Sequence, residues 1–334
     1  MIALRTFVLG LGLSALLAGQ TRNLDIYWID VEGGAATLIV SPSGQSLLVD
    51  TGFPAQGDRD PKRIFEAAQA AGLKKIDMLE ITHYHLDHVG GVPALAKLIP
   101  IDQFYDHGDS IEPSPQYDAY KTLAEGKRVI LKPGDKIPLN GVDIRVVSAA
   151  GKVIENPFVV APNSLCKDAQ QKAEDTTENS QSVGWVLTFG KFKFMDVGDL
   201  TWDREMQLAC PANKIGTVTL LQATHHGFSN GQSGAPALIW AIKPQVVVVN
   251  NGARKGFSNE GYDTIAKIPG IEGIWQGHRG AMNDAAHNTS DDMIANPEEG
   301  AADQGKWIKA SVSSDGKFTV TNSRNNFSKT YTAR

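Results

Sequence analysis

Hydrophobic and polar positions alternate along the chain in a pattern that predicts short strands and helices from Leu24 onward. The segments LDIYWIDV, AATLIVS and QSLLVDTG alternate or are rich in β-branched residues, and a Pro-Ser-Gly turn separates the last two. They predict three strands. Asp60 and Pro61 follow as an N-cap and a first-turn proline, which predicts a helix to about Ala71. KIDMLEIT predicts the next strand.

The remainder of the chain continues this alternation. Helices are predicted for DAYKTLAEGK, DREMQLA, APALIWAIK and EGYDTIAKI, and strands for VDIRVVSA, GTVTLLQAT and PQVVVVNN. Hairpins are predicted around Gly190 and at Asp315-Gly316. Two polar stretches, residues 152–181 and 277–305, lack periodicity and are predicted to be surface insertions near a site. The pattern as a whole predicts one mixed α/β (α+β) domain.

The N-terminal segment has the pattern of a signal peptide. Arg5 precedes an apolar run from Thr6 to Gly19, which is short for a membrane span. An uncleaved N-terminal anchor is the alternative interpretation. We predict a signal peptide over residues 1–19, a hydrolase domain over residues 20–334, no membrane span after cleavage, and a periplasmic or secreted location.

Composition limits the classes of partner more than it identifies one. The chain has 334 residues, 42% of them hydrophobic and 21% charged, with a formal net charge of -5. This balance gives no strong signal for nucleic-acid binding. The two cysteines, Cys166 and Cys210, lie in polar segments, and the sequence allows either one disulfide in an oxidising compartment or two free thiols.

Histidines provide the first candidate chemistry. Five of the eight histidines lie in two short clusters, and the first cluster reads THYHLDHVGG after the strand KIDMLEIT. Alternate residues of an extended segment point the same way, so His83 and His85 can bind one ion. Asp87 and His88 follow where the chain turns, and they can face a second ion. Imidazole and carboxylate ligands together suit zinc and related first-row ions.

Two further elements complete the candidate site. Asp199 follows Gly198 at the end of an alternating strand, where its carboxylate can bridge two ions. His225 and His226 follow the strand GTVTLLQAT. One of them is expected to bind the second ion and the other to contact substrate or donate a proton, and the sequence does not say which.

The segments that carry this chemistry resemble a known family. IDVEGGAATLIVSPSGQSLLVDTG, ITHYHLDHVGG, VGDLT and ATHHGFS occur in the order and approximate spacing of metallo-β-lactamase-fold hydrolases. They are most similar to the soluble hydrolase domain of the DNA-uptake protein ComEC. The resemblance implies a four-layer αβ/βα sandwich with a dinuclear site. It also implies that His83 and His85 bind the first metal, that Asp87 and His88 bind the second, and that Asp199 bridges.

Two departures from the family limit what is carried over. Glu32-Gly33-Gly34-Ala35 stands where related ComEC-type domains have Gly-Gln-Gly-Asp, so the polar contacts made there are in doubt. The middle histidine ligand of true β-lactamases has no well-placed counterpart, since His107 comes early in the chain. We interpret His107 as a residue beside the site or as a surface histidine, and antibiotic hydrolysis is disfavoured as the main activity.

The predicted function is an exported metal-dependent hydrolase of phosphoesters or phosphodiesters. Two divalent ions, Zn²⁺ or alternatively Mn²⁺, are expected to activate hydroxide. Asp87 and His226 are the predicted catalytic residues, and the substrate is a small or oligomeric phosphoester. The alternatives are hydrolysis of esters, lactones or β-lactams at the same site, or a non-catalytic metal-binding protein.

Overall fold

Two large β-sheets form the framework of the molecule. The computed structural model describes residues 22–54, 57–228 and 231–334, and the predicted signal peptide therefore lies outside the described residues. The strands of the first sheet are β1 (Leu24–Trp28), β2 (Thr37–Val40), β3 (Ser46–Val49), β4 (Ile76–Glu80), β5 (Ile101–Asp106), β6 (Arg128–Ile130), β18 (Ile308–Val312), β19 (Lys317–Asn322) and β20 (Ser328–Thr332). Their order across the sheet is β20-β19-β18-β1-β2-β3-β4-β5-β6.

The second sheet contains most of the remaining strands. They are β7 (Lys136–Ile137), β8 (Asp143–Ala149), β9 (Lys152–Val153), β11 (Gly184–Phe189), β12 (Phe192–Asp196), β14 (Leu220–Gln222), β15 (Val246–Val249), β16 (Gly273–His278) and β17 (Ile294–Asn296). Their order is β17-β16-β15-β14-β12-β11-β8-β7, with β9 paired to β8. A separate two-stranded sheet joins β10 (Ala161–Pro162) to β13 (Ala212–Asn213).

Helices connect the strands. They are α1 (Arg59–Ala70), α2 (Leu86–Val89), α3 (Val92–Leu98), α4 (Pro115–Ala124), α5 (Trp202–Ala209), α6 (Pro236–Ile242) and α7 (Asn259–Ala266). Short 3₁₀ turns occupy Ser164–Asp168, Glu178–Gln181, Ala285–His287, Asp291–Met293 and Gly300–Ala302. Among the described residues, no helix combines the length and apolar character that a membrane crossing needs.

Three buried clusters hold these elements together as four layers. Trp28, Trp185 and Phe194 belong to the cluster between the two sheets. A second cluster packs α5, α6 and α7 on the outer face of the second sheet, and a third packs α1, α3 and α4 on the first sheet. Burial of this apolar surface is the main stabilising term of the fold. Two sheets with helices on both outer faces confirm the predicted αβ/βα sandwich.

The turn residues predicted both hairpins correctly, but the N-cap of helix α1 differs from the prediction. β11 and β12 pair around Gly190, which has a φ of 58°, and β18 and β19 pair across Asp315-Gly316. Helix α1 begins one residue before the predicted N-cap Asp60, and its N-cap is Asp58. Asp60 is instead buried, and its carboxylate accepts a hydrogen bond from the backbone N–H of Phe53 at 2.8 Å. The side chain of Asp60 therefore makes a tertiary hydrogen bond and does not cap the helix.

The alternative left open for the cysteines is settled by proximity. Cys166 and Cys210 form a disulfide with a Cα–Cα distance of 5.7 Å and a sequence separation of 44 residues. A bridge that closes a loop of this length contributes about 4 kcal/mol in the chain-entropy model. It fastens the insertion after β10 to the end of α5, the helix that follows Asp199.

Candidate metal centre

The first histidine cluster leaves the carboxyl end of β4 and enters the short helix α2. His83 and His88 are fully buried, and Asp87 is 9% exposed. The Nε2 atom of His83 lies 3.1 Å from Nδ1 of His85, so these two rings converge on one point as the extended segment predicted. Asp87 and His88 lie on the first turn of α2 and face a neighbouring point. His83 and His85 therefore form a first group of ligand atoms, and Asp87 and His88 form a second group beside it.

Asp199 lies between the two groups. Its Oδ2 atom is 3.3 Å from Nε2 of His88 and 3.3 Å from Nε2 of His225. The same oxygen is 3.4 Å from Nε2 of His226 and 3.9 Å from Nε2 of His83. A single carboxylate oxygen that faces these imidazoles is in the position of a bridging ligand. Gly198 makes this approach possible, because a Cβ there would lie 2.8 Å from Cβ of Thr82.

His225 and His226 are presented by a left-handed turn. The φ angles of His225, His226, Gly227 and Phe228 are 52°, 57°, 102° and 71°. Non-glycine residues rarely adopt this conformation, and such strain persists where the surroundings enforce it. Here Gly256 packs against the turn, since a Cβ at Gly256 would lie 2.3 Å from the carbonyl oxygen of His226.

The turn separates the roles of the two histidines. The Nε2 atom of His226 is 3.2 Å from Oδ2 of Asp87 and 3.3 Å from Nε2 of His88, and the ring is fully buried. His225 contacts Asp199 and lies 3.5 Å from Oγ of Ser233. His226 therefore belongs with the second group of ligand atoms, and His225 lies on the other side of Asp199.

The carboxylates around the centre create an environment that suits a cation. Burial would raise the pKa of Asp199, but the imidazoles of His226, His88 and His225 hold the pKa well below its usual value. Burial lowers the pKa of His83 well below its usual value, which favours the neutral ring that can bind a metal ion. Burial also opposes the charge on His88, yet Asp199, Asp50 and Asp87 raise its pKa well above the usual range. The surrounding field is thus negative.

These residues fit a divalent metal ion. The ligand atoms of Asp87, His88, Asp199 and His226 all lie within 4.8 Å of one another. Two ionised carboxylates and imidazole nitrogens form a donor set that suits zinc and related first-row ions. His83, His85 and His225 face Asp199 or one another from the opposite side. The predicted assignment of two ions remains compatible with this arrangement.

A second layer of carboxylates orients the ligands, and the sequence did not single it out. Buried Asp50 lies with Oδ2 2.6 Å from Nδ1 of His88 and also accepts hydrogen bonds from N and Oγ1 of Thr82. Glu112 lies 3.4 Å from Nε2 of His85. Such partners fix the ring orientation and tautomer of histidine ligands. The sequence feature that could have identified Asp50 is its position at the end of a strand, directly before Thr51-Gly52.

His107 is buried, so its interpretation as a surface histidine is wrong. Its Nε2 atom lies 2.7 Å from Oε1 of Glu178, and its ring packs on Tyr84 with centroids 4.6 Å apart. Glu178 also accepts a hydrogen bond from the backbone N–H of Ile111 at 3.0 Å. The pair therefore anchors the insertion before β11 beside the first histidine cluster.

Lys255 also reaches the centre, from the loop that follows β15. Its Nζ atom contacts Oδ2 of Asp87 and donates a hydrogen bond to the carbonyl oxygen of Gly33 at 2.6 Å. Its side chain is 40% exposed, so the ammonium group also faces the entrance. The backbone of Gly34 packs closely against Asp87, because a Cβ on Gly34 would lie 2.5 Å from the carbonyl oxygen of Asp87. The departure from the family at residues 32–35 thus makes backbone contacts with the centre.

Three other polar residues that lie at or after the ends of β15 and β16 have partners outside the centre. His278 is buried and pairs with Asp30 at 2.7 Å, and half-buried Arg279 pairs with Asp291. Asn259 donates a hydrogen bond to Asp284 at 3.2 Å. These contacts join structural elements.

Comparison with known proteins gives a consistent set of relatives. Residues 29–161 match the model of the metallo-beta-lactamase superfamily. The chain is similar to a UPF0173 metal-dependent hydrolase of Cupriavidus necator, with 36% identity over 236 residues, which cover 69% of this chain and 75% of that protein. A UPF0173 metal-dependent hydrolase of Polynucleobacter asymbioticus is 29% identical over 236 residues, which cover 70% of this chain and 76% of that protein.

Two further similarities are more limited. A hydroxyacylglutathione hydrolase of Xanthomonas campestris is 30% identical over 113 residues, which cover 34% of this chain and 36% of that protein. The solved structure of the metallo-beta-lactamase fold protein YhfI from Bacillus subtilis aligns with a TM-score of 0.49 at 13% identity, and the alignment covers 75% of this chain and 96% of that protein.

Proposed function

Because this chain belongs to the metallo-β-lactamase superfamily and is a metal-dependent hydrolase, we propose that it cleaves phosphoesters or phosphodiesters. The observation that carries the proposal is Lys255, whose partly exposed ammonium group lies against Asp87 at the edge of the centre. A cation in this position can pair with an unesterified phosphate oxygen while the reacting phosphorus lies over Asp199. The ComEC-like branch of the superfamily is part of this proposal.

Each residue of the centre has a separate role in the proposed hydrolysis. Two divalent ions, when bound, would supply Lewis acidity and lower the pKa of a bound water toward 7. Asp87 and Asp199 orient the attacking water, and Lys255 holds the substrate phosphate. A P–O bond forms to the water oxygen as the P–O bond to the leaving group breaks. Asp87 accepts the proton that the attacking water loses, and whichever of His225 and His226 does not hold an ion donates a proton to the leaving oxygen.

A second candidate function is the hydrolysis of carboxylic esters or thioesters, with lactones and β-lactams as related substrates. The similarity to a hydroxyacylglutathione hydrolase favours it. The same centre can polarise a carbonyl group as well as a phosphoryl group. Lys255 would then contact a carboxylate of the substrate. A non-catalytic metal-binding protein is the third candidate, and it is disfavoured because structural zinc sites use four closed ligands and leave no adjacent ligand group free.

A panel of substrates separates these candidates. Bis-p-nitrophenyl phosphate, p-nitrophenyl phosphorylcholine, a thioester, a lactone and nitrocefin are assayed on the purified holoenzyme, before and after chelation and after metal is restored. We expect turnover of a phosphate substrate that exceeds turnover of the acyl substrates by at least about tenfold, equivalent to 1.4 kcal/mol of barrier. Faster turnover of an acyl substrate contradicts the phosphoesterase proposal. Tight metal binding without turnover of any substrate supports the third candidate.

We also propose that the protein is exported after removal of residues 1–19. The Cys166–Cys210 disulfide supports this proposal, because disulfides persist mainly in oxidising compartments. The protein isolated from the envelope or medium of its native host is expected to begin close to Gln20 when its N-terminus is sequenced. A protein that retains Met1, or that occurs only in the reducing cytoplasm, contradicts the proposal.

A further inference from the structure

The two groups of ligand atoms differ in the spacing of their atoms. We call Asp87, His88 and His226, together with the shared carboxylate of Asp199, the second site. The Oδ2 atom of Asp87 lies 3.7 Å from Nε2 of His88 and 3.2 Å from Nε2 of His226, and the two nitrogens are 3.3 Å apart. The Oδ2 atom of Asp199 lies 3.3 Å from Nε2 of His88 and 3.4 Å from Nε2 of His226. These separations therefore all lie between 3.2 and 3.7 Å.

This spacing matches the cage that a tetrahedral zinc ion requires. Zinc binds imidazole nitrogen and carboxylate oxygen at about 2.0–2.2 Å, and ligands at the corners of such a tetrahedron lie about 3.3–3.6 Å apart. All four ligand atoms of the second site lie within 4.8 Å of one another, and the rings of His88 and His226 are fully buried. The second site thus offers four protein ligands at the spacing of a closed zinc site.

His83, His85 and the same carboxylate of Asp199 form the first site, which is less regular and more open. The Nε2 atom of His83 lies 3.1 Å from Nδ1 of His85 but 3.9 Å from Oδ2 of Asp199. The side chain of His85 is 35% exposed and is paired with Glu112 rather than with Asp199 in the described structure. Among the described residues, His225 approaches Asp199 at 3.3 Å but neither histidine of the first site within hydrogen-bond distance. A site with three protein ligands leaves a coordination position for water or substrate.

The carboxylates behind the ligands strengthen this contrast. Asp50 is buried, and its Oδ2 atom lies 2.6 Å from Nδ1 of His88 in the second site. Glu112, behind His85 of the first site, is 42% exposed and lies 3.4 Å from Nε2 of that ring. A buried carboxylate at short distance holds a histidine ligand more firmly, because water screens an exposed carboxylate and competes with it.

Lys255 does not cancel the negative charge at the second site. Its ammonium group contacts Asp87, and it is the one lysine or arginine in the described structure that pairs with a ligand of this site. Three carboxylates oppose it, those of Asp87, Asp199 and Asp50. With neutral imidazoles, three carboxylates and one ammonium group leave two negative charges, which is the charge that one divalent ion neutralises.

We propose that the second site holds its ion tightly, whereas the ion at the first site exchanges with the surrounding solution. Occupancy of the first site then sets the fraction of molecules that are active, and turnover follows the concentration of free metal over the range in which this site fills. The difference in affinity follows from the ligand geometry. Its link to turnover rests on the proposed two-ion hydrolysis.

Metal titration tests the difference in affinity directly. The purified holoenzyme is depleted of metal with a chelator and titrated with Zn²⁺ against a chromophoric competitor. We expect two equivalents whose dissociation constants differ at least about tenfold. Two equivalents of equal affinity, or a single tight equivalent with no second one, overturn the proposal.

Two pairs of matched variants assign each dissociation constant to a site. His226→Ala and His85→Ala each remove one histidine ligand, whereas Asp50→Asn and Glu112→Gln each convert the carboxylate behind a ligand to an amide. We expect the changes at His226 and Asp50 to weaken the tighter equivalent at least about tenfold, and those at His85 and Glu112 to weaken only the other equivalent. Glu112→Gln keeps an oxygen that can accept the backbone N–H of Glu178. The amide pair therefore retains the test if an alanine variant does not fold.

The opposite assignment, in which the changes at His85 and Glu112 weaken the tighter equivalent, overturns the proposal, as do equal losses in both pairs. Turnover of the best panel substrate is followed during the same titration and is expected to rise with the weaker equivalent. Full turnover with only the tighter equivalent bound overturns the role of the first site. Two unequal equivalents without turnover at full occupancy support the difference in affinity and contradict the proposed hydrolysis, so the two failures are distinguishable.

Discussion

Replacing Asp199 with alanine is expected to lower kcat/KM by at least about a thousandfold, because several kcal/mol of metal-dependent stabilisation are lost. The Oδ2 atom of Asp199 faces the Nε2 atoms of His88, His225 and His226 within 3.4 Å. Alanine removes the only carboxylate that contacts all three rings in the described structure. Metal content and turnover of the best panel substrate are measured together, and both are expected to fall.

Asp203→Ala is the matched control, since it makes the same substitution four residues along the chain, on α5, where the side chain accepts a hydrogen bond from Thr201. It is expected to retain metal and most activity. Asp199→Asn keeps the volume of the side chain, so a loss of activity in this variant is not explained by a cavity. Circular dichroism and thermal melting show whether each variant is folded. Near-normal turnover and metal content in Asp199→Ala would show that the bridging assignment is wrong.

Asp50→Asn is expected to weaken metal binding about 10- to 100-fold, the usual effect of losing a partner behind a histidine ligand. The carboxylate of Asp50 lies 2.6 Å from Nδ1 of His88 and accepts hydrogen bonds from Thr82 at 2.9 and 2.8 Å. An amide has one acceptor oxygen and cannot satisfy all three contacts. Competition with a chromophoric chelator gives the metal dissociation constant of each protein.

Asp50 acts through His88, so its effect differs from that of a group that contacts substrate. We expect the activity of Asp50→Asn to recover largely at saturating metal, with KM close to the wild-type value. The control is Asp77→Asn, which removes a carboxylate at the opposite end of β4, where Asp77 contacts Ser46. An unchanged metal dissociation constant in Asp50→Asn, or a loss that excess metal does not restore, contradicts a positioning role.

Local chemistry explains which parts of the molecule could be predicted from sequence. The hairpins at Gly190 and Asp315-Gly316 depend on turn residues and alternation within a few positions, and both formed as predicted. Strand β16 and strand β20 were not predicted, because their apolar positions are few and their stability comes from neighbours distant in sequence. Sheet order likewise depends on long-range pairing, and no local pattern contains it.

The candidate site shows the same division. His83, His85, Asp87 and His88 lie within one short segment, so their convergence could be inferred from an extended strand end and a turn. The choice between His225 and His226 depends on the left-handed turn and on the packing of Gly256, which come from separate segments. Asp50, Glu112 and Lys255 reach the centre from three other loops, and only the folded chain brings them together.

The origin of the ligands in both sheets has a mechanical consequence. His83, His85, Asp87 and His88 extend from β4 of the first sheet, whereas Asp199 and His226 extend from β12 and β14 of the second. A bound ion thus cross-links the two halves at one edge, and its binding free energy adds to the cohesion of the layers. Chelation is therefore expected to raise amide hydrogen exchange and protease cleavage along that edge first, while the amino ends of the strands stay protected.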